Sequence, residues 1–107
     1  MPSQPKESPI AGAWCYMLEC ADGRFYVGTT RLELVQERVG QHNMGVDPKA
    51  FTFRRRPVRC VWAEHFEEIV DAVAAERRLK GWSRRKKMAV IEGRWEDLPG
   101  LSRRGKA

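Results

Sequence analysis

Glu76 is the residue whose type and position point most directly to chemistry. In a helical projection at about 100° per residue, it falls inside an apolar stripe formed by Ile69, Ala72, Val73 and Leu79. Burying an unpaired carboxylate is prohibitive, so Glu76 needs a cation or hydrogen-bond donors. Position alone leaves two interpretations open. One is a structural contact, such as an ion pair with an arginine or a cap on a neighbouring loop, and the other is a carboxylate of a functional site.

Arg38 and His42 form a second candidate group. They lie four residues apart on a predicted helix, at the margin of its apolar stripe, so both side chains can reach the same point. A guanidinium group matches two phosphate oxygens, and a histidine can transfer a proton near neutral pH. For an isolated pair, a solvent-extended arginine beside a hydrogen-bonded surface histidine is the more frequent arrangement. The pair therefore gains meaning only together with other residues.

The charge of the chain predicts a polyanionic partner, with nucleic acid first. There are 20 Lys and Arg against 14 Asp and Glu, which gives a net charge of +6 and a pI near 9.7. Phe51 and Phe53 could stack on bases, although packing at the core edge is favoured. Most of the positive charge lies in two stretches without an acidic residue, which predicts uncompensated phosphate-binding patches: Lys49, Arg54, Arg55, Arg56 and Arg59, and then Arg77, Arg78, Lys80, Arg84, Arg85, Lys86 and Lys87.

Other features argue against whole classes of protein. No apolar run approaches the ~20 residues that span a bilayer, and the amino terminus lacks the apolar core of a signal peptide, so we expect a cytoplasmic protein without membrane association. Three cysteines without a C-x-x-C pair support neither a disulfide framework nor a zinc site, and we expect them to be small buried hydrophobic residues. The chain also has no Gly-rich phosphate loop.

The length fits one domain between two tails. We predict a loose N-terminal tail over residues 1–12, a folded domain over 13–92 and a basic C-terminal tail over 93–107. Inside the domain, the Thr30–Glu33 segment has capping-box spacing, so a helix should start there. A third strand should run over about 58–64, a helix over about 67–80, and a short helix capped by Ser83 should follow. The order is β-β-α-β-α-α, an α+β pattern.

The first two strands should form a hairpin around Asp22 and Gly23, in one of two registers. A two-residue loop pairs positions summing to 45 and puts Tyr16 and Tyr26 on opposite faces. A three-residue loop, with Gly23 in a left-handed bulge position, gives sums of 44 and puts both tyrosines on one face. We favour the second register because it sets Gly28 opposite Tyr16 and so gives Gly28 a role. The turn sequence itself allows both.

Several of these residues belong to one ordered set along residues 13–92: Trp14-Cys15-Tyr16, Tyr26-Val27-Gly28, Arg38, His42-Asn43 and Glu76, with the stretches 16–23, 54–58 and 80–87. Together they resemble the GIY-YIG nuclease family, and in particular its small single-domain bacterial subgroup. The fold of that family is a three-stranded antiparallel sheet flanked by helices, which agrees with the predicted order of elements.

The resemblance implies a role for each candidate residue. Glu76 resembles the glutamate that holds one divalent ion, usually Mg²⁺ or Mn²⁺. Tyr16 and Tyr26 resemble the tyrosines that orient and deprotonate the attacking water. Arg38 resembles the arginine that stabilises charge on five-coordinate phosphorus. His42 matches a histidine one turn beyond the arginine and is a second candidate for the base or the leaving-group contact.

The leading hypothesis is a metal-dependent endonuclease that hydrolyses DNA. A preference for single-stranded or branched DNA is a secondary expectation, because so small a chain has no separate targeting module. The alternative is a non-catalytic nucleic-acid-binding module on the nuclease fold. A third interpretation is a structural protein with a buried Arg38–Glu76 ion pair. The sequence leaves DNA against RNA and the oligomeric state open.

Overall fold

The computed structural model describes residues 11–98 of the chain, so residues 1–10 and 99–107 of the predicted tails lie outside the described residues. The strands are β1 (Ala13–Glu19), β2 (Phe25–Thr30) and β3 (Arg59–Phe66), and the helices are α1 (Val35–Met44), α2 (Ile69–Lys80) and α3 (Arg84–Ile91), with 3-10 turns at Phe53–Arg55 and Trp95–Asp97. The predicted β-β-α-β-α-α order is confirmed. In the described part of the chain, no helix is long and apolar enough to cross a membrane.

The sheet is antiparallel in the order β2-β1-β3, so β1 is its central strand. Side chains alternate along a strand, and both faces of β1 are covered by helices. Cys15 and Met17 pack with core residues of α2 and α3, whereas Tyr16 and Leu18 pack with Val35 of α1. This two-sided burial explains why the first strand is apolar at every position from Ala13 to Leu18 rather than at alternate positions.

The hairpin between β1 and β2 has the favoured register. Tyr16 pairs with Gly28 and Leu18 pairs with Tyr26, which are sums of 44. The N–H of Gly23 donates to the carbonyl of Cys20 at 2.9 Å, and Gly23 has φ 87°, in the left-handed region that favours glycine. The two tyrosines consequently lie on the same face of the sheet.

The predicted start of the first helix was wrong. Thr30 still belongs to β2, where it pairs with Trp14, and its hydroxyl accepts the N–H of Leu32 at 3.1 Å in a local turn. The helix begins five residues later, at Val35, and its N-cap residue Leu34 makes no side-chain cap. Pairing in the sheet therefore takes precedence over the capping-box pattern.

Later boundaries agree more closely with expectation. β3 extends to Phe66, because it pairs with β1 as far as Ala13, and α2 accordingly begins at Ile69. Ser83 caps α3 as predicted, since its hydroxyl accepts the N–H of Lys86 at 3.3 Å. Cys15 and Cys20 are buried, as expected. Cys60 is exposed, so the expectation of three buried cysteines was wrong for this residue. It lies on the edge strand β3, beside the point where the register between β3 and β1 shifts.

Ordered structure continues past residue 92. The Trp95 ring lies 6.5 Å from the Trp62 ring, and Leu98 packs against the core beneath α2 and α3.

Candidate active site

Tyr16, Arg38 and His42 form one hydrogen-bonded group. The Tyr16 hydroxyl lies 3.1 Å from Nε2 of His42, and it accepts a hydrogen bond of 3.3 Å from Nε of Arg38. Tyr16 and His42 are buried, and Arg38 is partly buried. The group arises because α1 covers the tyrosine face of the sheet and presents positions 38 and 42 from adjacent turns. A second contact orients the arginine, whose terminal nitrogen donates to Oε1 of Gln41 at 2.7 Å.

Tyr26 lies at the open side of this group. Its ring centroid is 5.2 Å from that of His42 and 6.3 Å from that of Tyr16. A cavity of about 160 Å³ opens here, and Tyr26, Arg38 and His42 line it together with Phe51 and the loop that follows α1. The cavity brings three of the predicted catalytic residues to one space.

The environment sets the protonation states of Tyr16 and His42. Burial raises the pKa of the Tyr16 phenol to about 12, although the hydrogen bond from Arg38 opposes this shift. Burial, and then the positive charge of Arg38, lower the pKa of His42 below its usual 6.5. At neutral pH the phenol therefore keeps its proton, while the neutral imidazole has a lone pair available to accept one.

Glu76 lies on α2, which packs against the face of the sheet opposite to α1. Its side chain is only 19% exposed, and its carboxylate lies 2.6 Å from Nζ of Lys80, one turn further along α2. The Lys80 ammonium is in turn 6.0 Å from the centroid of the Tyr26 ring. The carboxylate thus has a cationic partner, and this partner is Lys80 rather than Arg38. The interpretation based on a buried Arg38–Glu76 ion pair was wrong.

The surroundings of Glu76 fit a divalent ion held by few protein ligands. Its carboxylate is largely buried and already holds a cationic group, the Lys80 ammonium, at 2.6 Å. Among residues 11–98, no three His, Cys, Asp or Glu side chains come together as a metal cage. Mg²⁺ is typically bound through one or two carboxylates, with water and substrate phosphate completing its shell, so a single glutamate suits that chemistry. Glu76 is therefore a carboxylate that could hold a divalent ion.

The predicted phosphate-binding residues divide into restrained and free groups. Arg55 is restrained, because its Nε lies 3.1 Å from the Asp22 carboxylate and its guanidinium lies 4.0 Å from the Phe51 ring centroid. Lys80 is paired with Glu76. The sequence predicted that both basic stretches lack acidic partners, and this prediction does not hold fully for either stretch.

Three other basic residues lie against aromatic rings: Arg56 on Phe53, Arg84 on Phe25 and Lys86 on Trp82. Lys87 is partly buried, and its burial lowers its pKa. Of the predicted phosphate-binding arginines, Arg54, Arg77 and Arg85 are exposed and have neither an ion pair nor a ring contact with any described residue.

Two residues near the site make contacts that the sequence did not predict. Thr52 is 1% exposed, and its hydroxyl lies 2.8 Å from Nδ1 of His42. The Asn43 side chain donates to the carbonyl of Val58 at 3.0 Å and accepts its N–H at 2.7 Å. Both tie the loop between α1 and β3 to the end of α1. No periodic signal in the sequence marks such contacts, because they depend on how an irregular loop folds back.

Phe51 contacts both the Tyr26 ring and the Arg55 guanidinium. Its ring is stacked with that of Tyr26 at a centroid distance of 6.1 Å and carries the Arg55 guanidinium. This packing agrees with the expected role of Phe51, although the ring remains 40% exposed.

Comparisons with known proteins give the following matches. The family model for the GIY-YIG catalytic domain matches residues 12–89. A UPF0213 protein of Bacillus pumilus is 42% identical over 77 residues, which cover 72% of this chain and 76% of the relative. A UPF0213 protein of Lacticaseibacillus paracasei is 40% identical over 77 residues, which cover 72% and 83% of the two chains. The solution NMR structure of the protein EF2693 from E. faecalis gives a TM-score of 0.54 at 31% identity, covering 79% of this chain and 88% of that one.

Proposed function

Since this chain belongs to the GIY-YIG catalytic domain family, a family of nucleases, we propose that it is a metal-dependent endonuclease that hydrolyses phosphodiester bonds of DNA. The observation that carries the proposal is the buried Tyr16 hydroxyl shared between Arg38 and His42. Phosphate binding alone requires exposed cations, whereas a buried phenol between an arginine and a neutral histidine is suited to moving a proton beside a phosphate.

Substrate binding begins at the cavity that Tyr26, Arg38 and His42 line. The Arg38 guanidinium turns from Tyr16 to the scissile phosphate, where it offsets the charge that develops on phosphorus. This movement frees the fully buried Tyr16 oxygen to accept a hydrogen bond from the attacking water, which Tyr26 orients from the other side. A divalent ion held by Glu76 would supply Lewis-acid polarisation of the phosphate oxygens.

Hydrolysis then moves one proton inward. The water oxygen forms a bond to phosphorus while the phosphorus bond to the leaving oxygen breaks. The water proton passes to the Tyr16 oxygen, and the proton of Tyr16 passes to Nε2 of His42, 3.1 Å away. The raised pKa of Tyr16 and the lowered pKa of His42 keep both groups neutral before the step. A proton from solvent completes the leaving group.

The exposed Arg54, Arg77 and Arg85 would track the phosphate backbone, with support from Arg56, Arg84, Lys86 and Lys87. We extend the proposal to single-stranded or branched DNA in the cytoplasm as the preferred substrate. The small cavity receives a single backbone segment more readily than a rigid duplex.

The test is cleavage of end-labelled single-stranded, branched and duplex DNA, and of single-stranded RNA, with Mg²⁺ or Mn²⁺. We expect discrete shortening of the DNA strands that stops when a chelator is added. Salt-sensitive binding without any product would instead support the non-catalytic binding module. The absence of both binding and cleavage would contradict both functions.

A further inference from the structure

His42 is held between two buried hydroxyl groups. Its Nε2 lies 3.1 Å from the Tyr16 hydroxyl, and its Nδ1 lies 2.8 Å from Oγ1 of Thr52. Both ring nitrogens are therefore engaged, and exposure of the His42 side chain is only 6%. A neutral imidazole carries its proton on one of these nitrogens, so the two contacts decide which one.

The hydrogen bonds of Tyr16 indicate which ring nitrogen of His42 carries the proton. The Tyr16 oxygen already accepts a hydrogen bond from Nε of Arg38, so its own O–H is the donor available for Nε2 of His42. Among the described residues, Nε2 is the acceptor that the structure gives this buried O–H, and Nε2 can accept only if it carries no proton. The proton of the neutral ring is left on Nδ1, where Oγ1 of Thr52 lies at a good distance to accept it.

The position of Thr52 is itself fixed. It precedes the 3-10 turn Phe53–Arg55, and its carbonyl accepts the N–H of Arg55 at 2.9 Å. The end of the same loop is attached to α1 through the two hydrogen bonds between Asn43 and Val58. Thr52 is therefore a rigid acceptor rather than the end of a mobile side chain.

We propose that Thr52 is a positioning residue that holds His42 in the Nδ1–H tautomer, and so keeps Nε2 free to take the proton of Tyr16. The catalytic consequence rests on the proposed nuclease function. The tautomer is a property of the free protein and stands independently of that function. Thr52 also joins the arginine-bearing loop to the catalytic histidine, because the same loop carries Arg54.

The first measurement is the tautomeric state of His42, from long-range ¹H–¹⁵N correlation spectra of the free protein near neutral pH. The chain has two histidines, so His65→Asn assigns the signals. We expect a protonated Nδ1 in the wild type and in Thr52→Ser, which keeps the hydroxyl. Thr52→Val keeps the shape but removes the acceptor, and it should shift the population toward the Nε2–H form.

The second measurement is the cleavage rate of the same three proteins, with circular dichroism as a check on folding. Thr52→Val should lose about 10- to 100-fold in rate, by analogy with the range for outer hydrogen-bond partners of metal-binding histidines, and Thr52→Ser should recover most of it. An Nε2–H tautomer in the wild type would overturn the proposal even if Thr52→Val failed to fold. A folded Thr52→Val with an unchanged tautomer would also overturn it. If the wild type did not cleave DNA, the nuclease proposal would fail, while the spectra would still decide the role of Thr52.

Discussion

Gly28→Ala is the substitution that tests the packing of the catalytic tyrosines most sharply. Gly28 lies opposite Tyr16 in the sheet, where both tyrosine rings occupy the space beside its Cα. A Cβ at this position would lie 2.7 Å from the Tyr16 hydroxyl oxygen and 2.9 Å from Cε2 of Tyr26. Such a Cβ cannot coexist with both rings in their present places.

The size of the effect follows from these distances. Ordinary contact begins near 3.4 Å, so the Tyr16 hydroxyl must move by about 0.7 Å. Its hydrogen bonds to His42 and Arg38 are already 3.1 and 3.3 Å long, and a shift of this size away from either partner takes that bond beyond the hydrogen-bond limit of about 3.5 Å. Overpacking costs about 1–3 kcal/mol, partly offset by about 0.5–1 kcal/mol from replacing a strand glycine. We expect a net loss of about 1–2 kcal/mol of unfolding free energy.

The assay is thermal unfolding together with single-turnover DNA cleavage. The expected loss of stability lowers the Tm by about 4–16 °C for a domain of this size. Cleavage should fall by about 100-fold at temperatures where the variant is folded, because misplacing a catalytic group by close to 1 Å costs that much. The matched control is Gly40→Ala in α1, where an added Cβ meets no atom within 4 Å. That variant should gain up to about 1 kcal/mol of stability from helix propensity and cleave at the wild-type rate.

A Gly28→Ala variant with both the wild-type Tm and the wild-type rate would contradict the close packing of the two tyrosines around Gly28. An equal loss of activity in Gly40→Ala and Gly28→Ala would show that the effect is not specific to the tyrosine pocket.

Three further predictions use other contacts of the site. Arg54→Ala should lower the slope of log Kd against log salt by about 0.7–0.9 at an unchanged Tm. Arg55→Ala should also lower the Tm, because Arg55 is packed and ion-paired. Anisotropy titrations and melting curves measure the two effects, and equal Tm values for the two variants would contradict the prediction. The neutral form of His42 accepts the proton in the proposed step, and the pKa of His42 is lowered. The acid limb of the pH profile of kcat/KM should therefore have its midpoint below pH 6.5. A midpoint above pH 6.5 would show that His42 does not set this profile. In Tyr26→Phe, ultraviolet absorbance should show the Tyr16 phenol titrating near pH 12. Because the pKa of Tyr16 in the folded protein is raised above 10, the free energy of unfolding should fall by roughly 2–3 kcal/mol as the pH rises from 10 to 12. An ordinary midpoint near 10 would show that burial does not raise the pKa of Tyr16.

Local geometry explains what could be predicted from the sequence. The register of the hairpin followed from Gly23 and Gly28, because one supplies a left-handed turn position and the other leaves space beside a ring. The burial of Glu76 followed from helical periodicity, and the Ser83 cap followed from the short-range preference of serine for N-caps. The roles of Tyr16, Tyr26, Arg38, His42 and Glu76 came from the family resemblance and stay predictions.

Long-range contacts explain what could not be predicted. The capping box at Thr30 failed because the strand pairing of Thr30 with Trp14 extends β2 into that position. The Glu76 partner is not a long-range contact: Lys80 lies four residues further along the same helix, a local pair that the spacing in the sequence already allowed. Thr52 carries no local signal at all, since it becomes buried only when the loop folds over His42.

The rate of DNA cleavage by Glu76→Gln, relative to wild type purified in the same way, is the most direct test of a metal-dependent nuclease site at Glu76. The measurement is a single-turnover time course on a labelled single strand with Mn²⁺ or Mg²⁺. Glutamine keeps the shape of the side chain but removes the charge that would hold the ion, which should cost several kcal/mol of transition-state stabilisation, or about 1000-fold in rate. We predict chelator-sensitive product from the wild type and a loss of this order in Glu76→Gln. Equal rates from the two proteins, or no product from the wild type, would contradict the proposed nuclease active site, which consists of Tyr16, Tyr26, Arg38, His42 and Glu76.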